Sequence, residues 1–205
     1  GYGDTIEVIK SNQIIPKITA NQTKSNSCVI PDICPSCGQP LHISKENDSE
    51  ILVCSNPNCH QRVVDKLTNF CGKTGMDISG LSEKTIDKLV NAQIISRFAD
   101  IYDIAKHEGE IIGMDGLGKS KVAKIIAAIE KSKSQSFDKF LVAIGIPGIG
   151  KTTAKLLSAH CEQSCNYGDS LIELFLRNCI RDYDWSVLDG IGEDTSRAIN
   201  GYIQE

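Results

Sequence analysis

Apolar and polar positions alternate at the start of the chain. Thr5-Ile6-Glu7-Val8-Ile9-Lys10 sets Ile6 and Val8 on one side, and after Ser11-Asn12-Gln13 the pair Ile14-Ile15 closes at Pro16. This reads as strand, turn, strand, with Asn12 suited to a positive φ in the turn. Two short strands bury no core of their own, so they are expected to belong to a sheet or barrel that lies mostly upstream. Residues 20–30 are polar and read as a linker. Residues 31–70 hold a small module in which the polar, turn-like stretch 44–50 separates two short apolar arms, 41–43 and 51–53. From Gln61 the period lengthens, and Val63, Val64, Leu67 and Phe70 fall on one helical face. Residues 71–205 keep a helical period throughout, so the fold class is mainly α.

Punctuation in this last part comes from glycine pairs, and aligning them exposes a repeat. The four copies are Ile78-Ser79-Gly80-Leu81-Ser82, Met114-Asp115-Gly116-Leu117-Gly118, Ile146-Pro147-Gly148-Ile149-Gly150 and Leu188-Asp189-Gly190-Ile191-Gly192. Each reads hydrophobic–x–Gly–hydrophobic–Gly, with Ser82 in place of the last glycine in the first copy. A small or apolar residue follows at a fixed place: Ile86, Val122, Ala154 and Ser196. A Gly–hydrophobic–Gly turn between two helices leaves backbone N–H groups at the start of the second helix unpaired. Without a Cβ at the glycines, a phosphate can approach those donors closely. One such turn is a weak signal, because glycine ends many helices. Four in succession is the pattern of helix–hairpin–helix repeats, which grip the DNA backbone without reading sequence.

Charge separates the copies. The 205 residues carry a formal net charge of −4, which on its own argues against a nucleic-acid partner. Locally the balance reverses: residues 115–155 hold eight Lys against three acids, a net +5, while 156–205 hold three Arg against nine acids, a net −6. Such asymmetry speaks to surface partners rather than to fold. The second turn continues Lys119-Ser120-Lys121 and the third Lys151-Thr152-Thr153, offering cations and hydroxyls to a phosphate. The fourth continues Glu193-Asp194, which repels one. The expected DNA-binding residues are therefore Gly116, Gly118, Lys119, Lys121, Gly148, Gly150, Lys151, Thr152 and Thr153. The alternative for any single copy is a purely structural helix corner.

Nine cysteines are many for this length, but their number is odd and no secretory signal precedes them, so a disulfide scaffold is not expected. Four of them have metal-ligand spacing. Cys34-Pro35-Ser36-Cys37 and Cys54-Ser55-Asn56-Pro57-Asn58-Cys59 form a C-x2-C and a C-x4-C pair, separated by 16 residues. Two thiolate pairs on tight knuckles joined by a hairpin can surround one tetrahedral Zn²⁺, and four sulfurs leave no open position, so the zinc would be structural. Gly38 relaxes the first knuckle. A weaker variant takes His60 or Cys71 as the fourth ligand, and the plain alternative is a set of free thiols.

Other classes of function find little support. No stretch approaches the roughly 18 apolar residues of a membrane-spanning helix. Gly145-Ile146-Pro147-Gly148-Ile149-Gly150-Lys151-Thr152 satisfies the nucleotide-binding pattern G-x-x-x-x-G-K-[ST]. That loop, however, needs a buried strand before it, for which 140–144 is the only candidate, and a later strand ending in Asp, which is not evident. A P-loop nucleotidase is thus a minor reading. The four His are scattered, and no catalytic constellation appears. The chain opens Gly1-Tyr2-Gly3-Asp4-Thr5 without an initiator Met and is expected to be part of a longer polypeptide.

The order of these parts resembles the C-terminal half of bacterial-type NAD⁺-dependent DNA ligases, over nearly the whole chain. Gly3-Asp4-Thr5-Ile6-Glu7-Val8 and Asn12-Gln13-Ile14-Ile15-Pro16 look like the final strands of the family's OB-fold. The two cysteine pairs are similar to its zinc finger. Met76-Asp77-Ile78-Ser79-Gly80-Leu81 and Ala143-Ile144-Gly145-Ile146 look like the leads into its first and third hairpins. The resemblance implies three parts: 1–30, the end of the OB-fold and a linker; 31–70, a Cys₄ zinc finger; and 71–205, a helix–hairpin–helix DNA-binding domain. It implies a parent enzyme of the bacterial cytoplasm and nucleoid that joins 3′-hydroxyl to 5′-phosphate at nicks in duplex DNA. That enzyme uses NAD⁺ and Mg²⁺ and passes through enzyme–AMP and DNA–AMP. These residues would hold the DNA as a monomer beside the upstream adenylation domain, whose K-x-D-G lysine motif they lack. Ser11-Asn12 stands where the family usually has Ala-Gly, and Ser82 departs from its hairpin pattern. A free-standing DNA-binding repair or recombination module is the alternative.

Overall fold

The computed structural model describes residues 1–11, 14–46, 49–165 and 170–204. Asn12, to which the sequence assigns a positive φ, lies outside them. The chain divides into two compact units, Gly1–Asn56 and Pro57–Glu205.

In the first unit, β1 (Ile6–Ser11) and β2 (Ile15–Asn21) form an antiparallel ribbon whose register shifts between Glu7 and Val8. Its large apolar side chains, Ile6, Val8, Ile9, Ile15 and Ile18, are exposed. This is the behaviour expected of two strands with no layer to pack against. A second antiparallel ribbon joins β3 (Leu41–Glu46) to β4 (Ser49–Cys54), with Leu41 opposite Cys54 and Ile43 opposite Leu52. Among the described residues of this unit only Cys34 and Cys54 are buried.

The second unit is helical. In chain order it comprises α1 (His60–Cys71), α2 (Glu83–Asn91), α3 (Phe98–Tyr102), α4 (Glu108–Ile112), α5 (Lys119–Ser132), α6 (Phe137–Ala143), α7 (Lys151–Ser164), α8 (Leu171–Ile180) and α9 (Glu193–Gln204). The apolar stripe foreseen from Gln61 onward is the buried face of α1, with Val64, Leu67, Phe70 and Cys71 inside. Short 3₁₀ turns lie at Ile104–His107 and Trp185–Val187.

The four glycine turns share one backbone. Gly80, Gly116, Gly148 and Gly190 have φ of +94°, +75°, +78° and +92°, the left-handed region that side chains with a Cβ rarely adopt. The hydrophobic residue that follows each is buried: Leu81, Leu117, Ile149 and Ile191. Each turn then starts a helix, α2, α5, α7 or α9. Ile86, Val122, Ala154 and Ser196 are all buried there, and their N–H groups donate to the carbonyls of Ser82, Gly118, Gly150 and Gly192.

The turns pack in reciprocal pairs. A Cβ on Gly80 would meet Ile125 on α5, and one on Gly116 would meet Lys88 on α2. Likewise Gly148 faces Thr195 on α9, and Gly190 faces Leu156 on α7. The first and second copies thus clasp each other, as do the third and fourth. Each pair has its own apolar cluster, one built on Leu67, Phe70, Ile86, Val122 and Ile125, the other on Leu141, Ala154, Leu157, Phe175 and Trp185. Phe140 and Ile144 touch both clusters.

This architecture corrects the nucleotide-binding reading. The segment 140–144 is the end of α6 and its C-cap, not a strand. The described strands form only two antiparallel ribbons, both in the first unit. The buried strand that a P-loop must follow is therefore missing from the described residues, and the P-loop nucleotidase alternative falls.

Candidate metal centre and nucleic-acid interface

Local backbone brings the four spaced cysteines together. Gly38, at φ +72°, lets the chain turn back so that its N–H reaches Cys34 O at 2.8 Å, and Cys34 N–H reaches Gln39 O at 2.8 Å. The isolated pairing of Ile33 with Pro40 closes this knuckle at the foot of β3. Because Leu41 pairs with Cys54, the β3–β4 ribbon returns the second cysteine pair to the same place. Cys59 is the N-cap of α1, where the positive end of the helix favours a thiolate. The sulfurs of Cys34, Cys37, Cys54 and Cys59 all lie within 4.8 Å of one another. Zinc–thiolate bonds of about 2.3 Å in a tetrahedron separate the sulfurs by about 3.8 Å, so the donor set and spacing fit a Zn²⁺ with small adjustment. The variants with another fourth ligand lose ground. His60 Nε2 is 2.7 Å from Asp87 Oδ1 on α2, and Cys71 is buried in the helical core.

Electrostatics at this cluster are uneven. The backbone N–H of Gln39, helped by the Asn56 side chain, lowers the pKa of Cys37. At Cys54 the Asn56 backbone N–H favours the thiolate, but burial and the neighbouring Cys37 and Cys34 sulfurs outweigh it and push the thiol up to about 11. Cys37 Sγ and Cys54 Sγ are 3.5 Å apart. Four thiolates this close repel one another unless a cation compensates them, and a metal ion is the largest local charge such a site can hold.

At the second turn, Gly116, Gly118, Lys119, Ser120 and Lys121 are exposed around buried Leu117. At the third, Gly148, Gly150, Lys151 and Thr152 are exposed and Thr153 is half-buried around Ile149. No side chain caps α5 or α7, whose N-cap residues are Gly118 and Gly150. The first N–H groups of those helices have no partner inside the helix and face outward with the positive end of the dipole. A Cβ on Gly118 or Gly150 would meet nothing within 4 Å. Neither glycine has a positive φ. Their lack of a side chain serves no contact within the fold, and it leaves the helix start open to solvent.

No protein-family model matches this chain. Curated relatives do. It is 37% identical over 166 residues to a DNA ligase of Ruminiclostridium cellulolyticum, a match that covers 81% of this chain and 25% of that protein. A DNA ligase of Campylobacter fetus is 35% identical over 195 residues, covering 93% of this chain and 27% of the relative. One of Chlamydia caviae is 30% identical over 209 residues, covering 99% and 29%. This chain is homologous to one segment of the DNA ligases. It spans 25 to 29% of the length of these relatives.

Within that ligase segment, tertiary contacts add residues that the sequence did not single out. Lys88, on α2, donates through Nζ to the backbone O of Asp115 at 2.6 Å and approaches its carboxylate at 3.2 Å, so the first copy steadies the second turn. No local pattern flags it. Ser196, already marked by the repeat, accepts from the Trp185 N–H at 2.9 Å, and Trp185 Nε1 donates to Asn200 Oδ1 at 2.8 Å, so Trp185 and Asn200 are the additions there. Tyr202 Oη donates to Ile144 O at 2.6 Å and ties α9 to the lead of the third turn. Among the described residues, no helix is long and apolar enough to cross a membrane.

Proposed function

We propose that this chain is the DNA-holding portion of an NAD⁺-dependent DNA ligase. Its helix–hairpin–helix turns grip duplex backbone around a nick while an adenylation domain elsewhere in the same polypeptide joins 3′-hydroxyl to 5′-phosphate. The observation that supports this most is the pair of exposed, uncapped helix starts at Gly118 and Gly150. Each is flanked by lysines, in a chain homologous to DNA ligases. Backbone donors of this kind hold phosphates without reading bases, so binding is sequence-independent. Lys119, Lys121 and Lys151 add charge at the same phosphates, with the hydroxyls of Thr152 and Thr153 beside them.

In this reading Cys34, Cys37, Cys54 and Cys59 hold one structural Zn²⁺ that cross-links the two knuckles and supplies folding free energy to a module without a core. NAD⁺ and Mg²⁺ act in the adenylation domain and are not bound here. The chain works as a monomer in the cytoplasm, on nucleoid DNA. No lysine of this chain sits in the K-x-D-G motif that makes an adenylate-forming nucleophile.

The test is twofold. Fluorescence anisotropy with nicked and intact duplexes of unrelated sequence should show binding that ignores sequence and weakens steeply with salt. Incubation with adenylate-labelled NAD⁺ should leave the protein unlabelled. Strict sequence preference, or a labelled chain, refutes the proposal. A free-standing repair module would bind DNA equally well, and the gene tells the two apart: an in-frame K-x-D-G motif upstream is expected only for the ligase.

A further inference from the structure

Beside the third turn, a cavity of about 200 Å³ is lined by Lys73 and Thr74 from the loop after α1, Asp138, Lys139 and Val142 from α6, and Lys151 and Lys155 from α7. Four lysines thus border one cavity together with a single carboxylate and a single hydroxyl. Among the described residues Lys73, Lys151 and Lys155 have no ion-pair partner, and Lys139 Nζ donates to the neutral Gln135 side chain at 2.9 Å. Lysines spread over a helix face are ordinarily just solvated. Here they come from three separate segments and border one cavity whose only carboxylate is Asp138, so a bound anion would relieve their mutual repulsion.

The loop that brings Lys73 and Thr74 is held in place. Gly75 N–H and Asp77 N–H both donate to Gly72 O at 3.0 Å, and Met76 N–H donates to Phe70 O at 2.9 Å. Gly75 presses so closely on α6 that a Cβ there would stand 2.9 Å from Ala143 Cβ and 2.8 Å from Phe70 O. Asn69 Nδ2 donates to Ala143 O at 3.3 Å and pins the same contact. The backbone of this loop is therefore set before any ligand arrives, which lowers the ordering cost of binding.

We propose that this cavity is a phosphate site. It takes a backbone phosphate of the same duplex that the third turn holds, and its key residues are Lys73, Thr74 and Lys155. The source of the phosphate rests on the DNA-holding reading, while the site's chemistry does not. Its position fits: Lys151 both begins α7 beside Gly150 and lines the cavity, so one side chain borders both phosphate positions. The first copy, whose own turn carries Ser82 in place of glycine, would thus reach DNA through its preceding loop.

The test uses the zinc-loaded 205-residue chain. Anisotropy over a salt series compares the double variant Lys73→Glu/Lys155→Glu with Lys119→Glu and with Lys106→Glu, a lysine already paired with Asp103 at 2.7 Å. Amide NMR follows Thr74 and Gly75 during titration with inorganic phosphate and, separately, with a short duplex. The double variant should weaken duplex binding by about tenfold or more and lower the log–log salt slope by about 0.9 per lost phosphate contact. Lys106→Glu should match the parent chain, and melting curves of all variants should coincide. If the double variant behaves like Lys106→Glu while Lys119→Glu weakens binding, the cavity proposal is overturned and the DNA reading stands. If the parent chain binds no duplex but phosphate shifts Thr74 and Gly75, the DNA reading fails and the site serves free phosphate. If neither happens, both are wrong.

Discussion

The first 56 residues and the helical unit after them are held by different physics. Around β1 to β4 only two described residues are buried, and both are cysteines. The helical unit encloses two apolar clusters, with Ile86, Val122, Ala154, Leu157 and Trp185 fully inside. A chain with so little apolar burial must take its stability from cross-links, whereas a repeat core leaves its surface free to diverge. That freedom is visible in the turns. The second and the fourth share a backbone and a buried centre, yet one leads into Lys119-Ser120-Lys121 and the other into Glu193-Asp194.

The largest expected effect breaks this comparison at the metal. Chelation, or Cys54→Ala, should abolish the ordered amide signals of the β3–β4 segment and leave the cooperative melt of the helical unit nearly intact. Structural zinc sites contribute on the order of 10 kcal/mol or more to such modules. The pH dependence has a defined sign. Each ligand must lose its proton, and burial together with the neighbouring sulfurs raises the Cys54 thiol to about 11 while hydrogen bonds lower that of Cys37. Zinc retention, measured by release to a colorimetric chelator, should therefore decline as pH falls. Unchelated protein without zinc would contradict the assignment.

Next in size are cavities in the repeat core. Trp185→Ala should cost about 3–5 kcal/mol and Ile86→Ala about 2–5 kcal/mol in denaturant melts of the helical unit. Neither should change zinc content. Coupled loss of both properties would mean the two units do not have separate supports.

Glycine substitutions sharpen the contrast between fold and ligand. Gly80→Ala puts a Cβ 2.8 Å from Ile125 Cγ1 at a φ of +94° and should destabilise by about 1–3 kcal/mol. Gly118→Ala and Gly150→Ala enter open space and should shift stability by less than about 1 kcal/mol. In anisotropy they should nonetheless weaken duplex binding, because the added methyl obstructs approach to the helix start. Unchanged affinity in both would remove these turns from the DNA face.

The smallest effects concern single charges. Lys119→Glu and Lys151→Glu should each weaken nicked-duplex binding several-fold and reduce its salt slope by about 0.9 per lost contact. Glu193→Lys should leave binding unchanged or strengthen it slightly. Were Glu193→Lys to matter most, the fourth turn would lie nearer the DNA than the second and third.

Much of this was legible along the chain because the signals are local. Glycine is favoured where φ reaches +75° to +94°, and a buried aliphatic follows it in each turn, so the repeat at Gly80, Gly116, Gly148 and Gly190 shows in the sequence. Cysteine pairs on tight knuckles need fixed spacing, so Cys34, Cys37, Cys54 and Cys59 stand out before any coordinates. The strand pair and the stripe Val64, Leu67, Phe70 follow from period alone. The pattern at 145–152 is only a minor reading in the sequence, since a phosphate-binding signature depends on the strand before it, and 140–144 is helical. Which turn clasps which depended on packing between segments far apart in sequence. The contacts of Gly80 with Ile125 and of Gly148 with Thr195, the reach of Lys88 to Asp115, and the convergence of Lys73 with Lys155 join residues 27 to 82 positions apart. Periodicity reports which face of a helix is buried, but not which helix covers it, so only the tertiary structure decided those pairings.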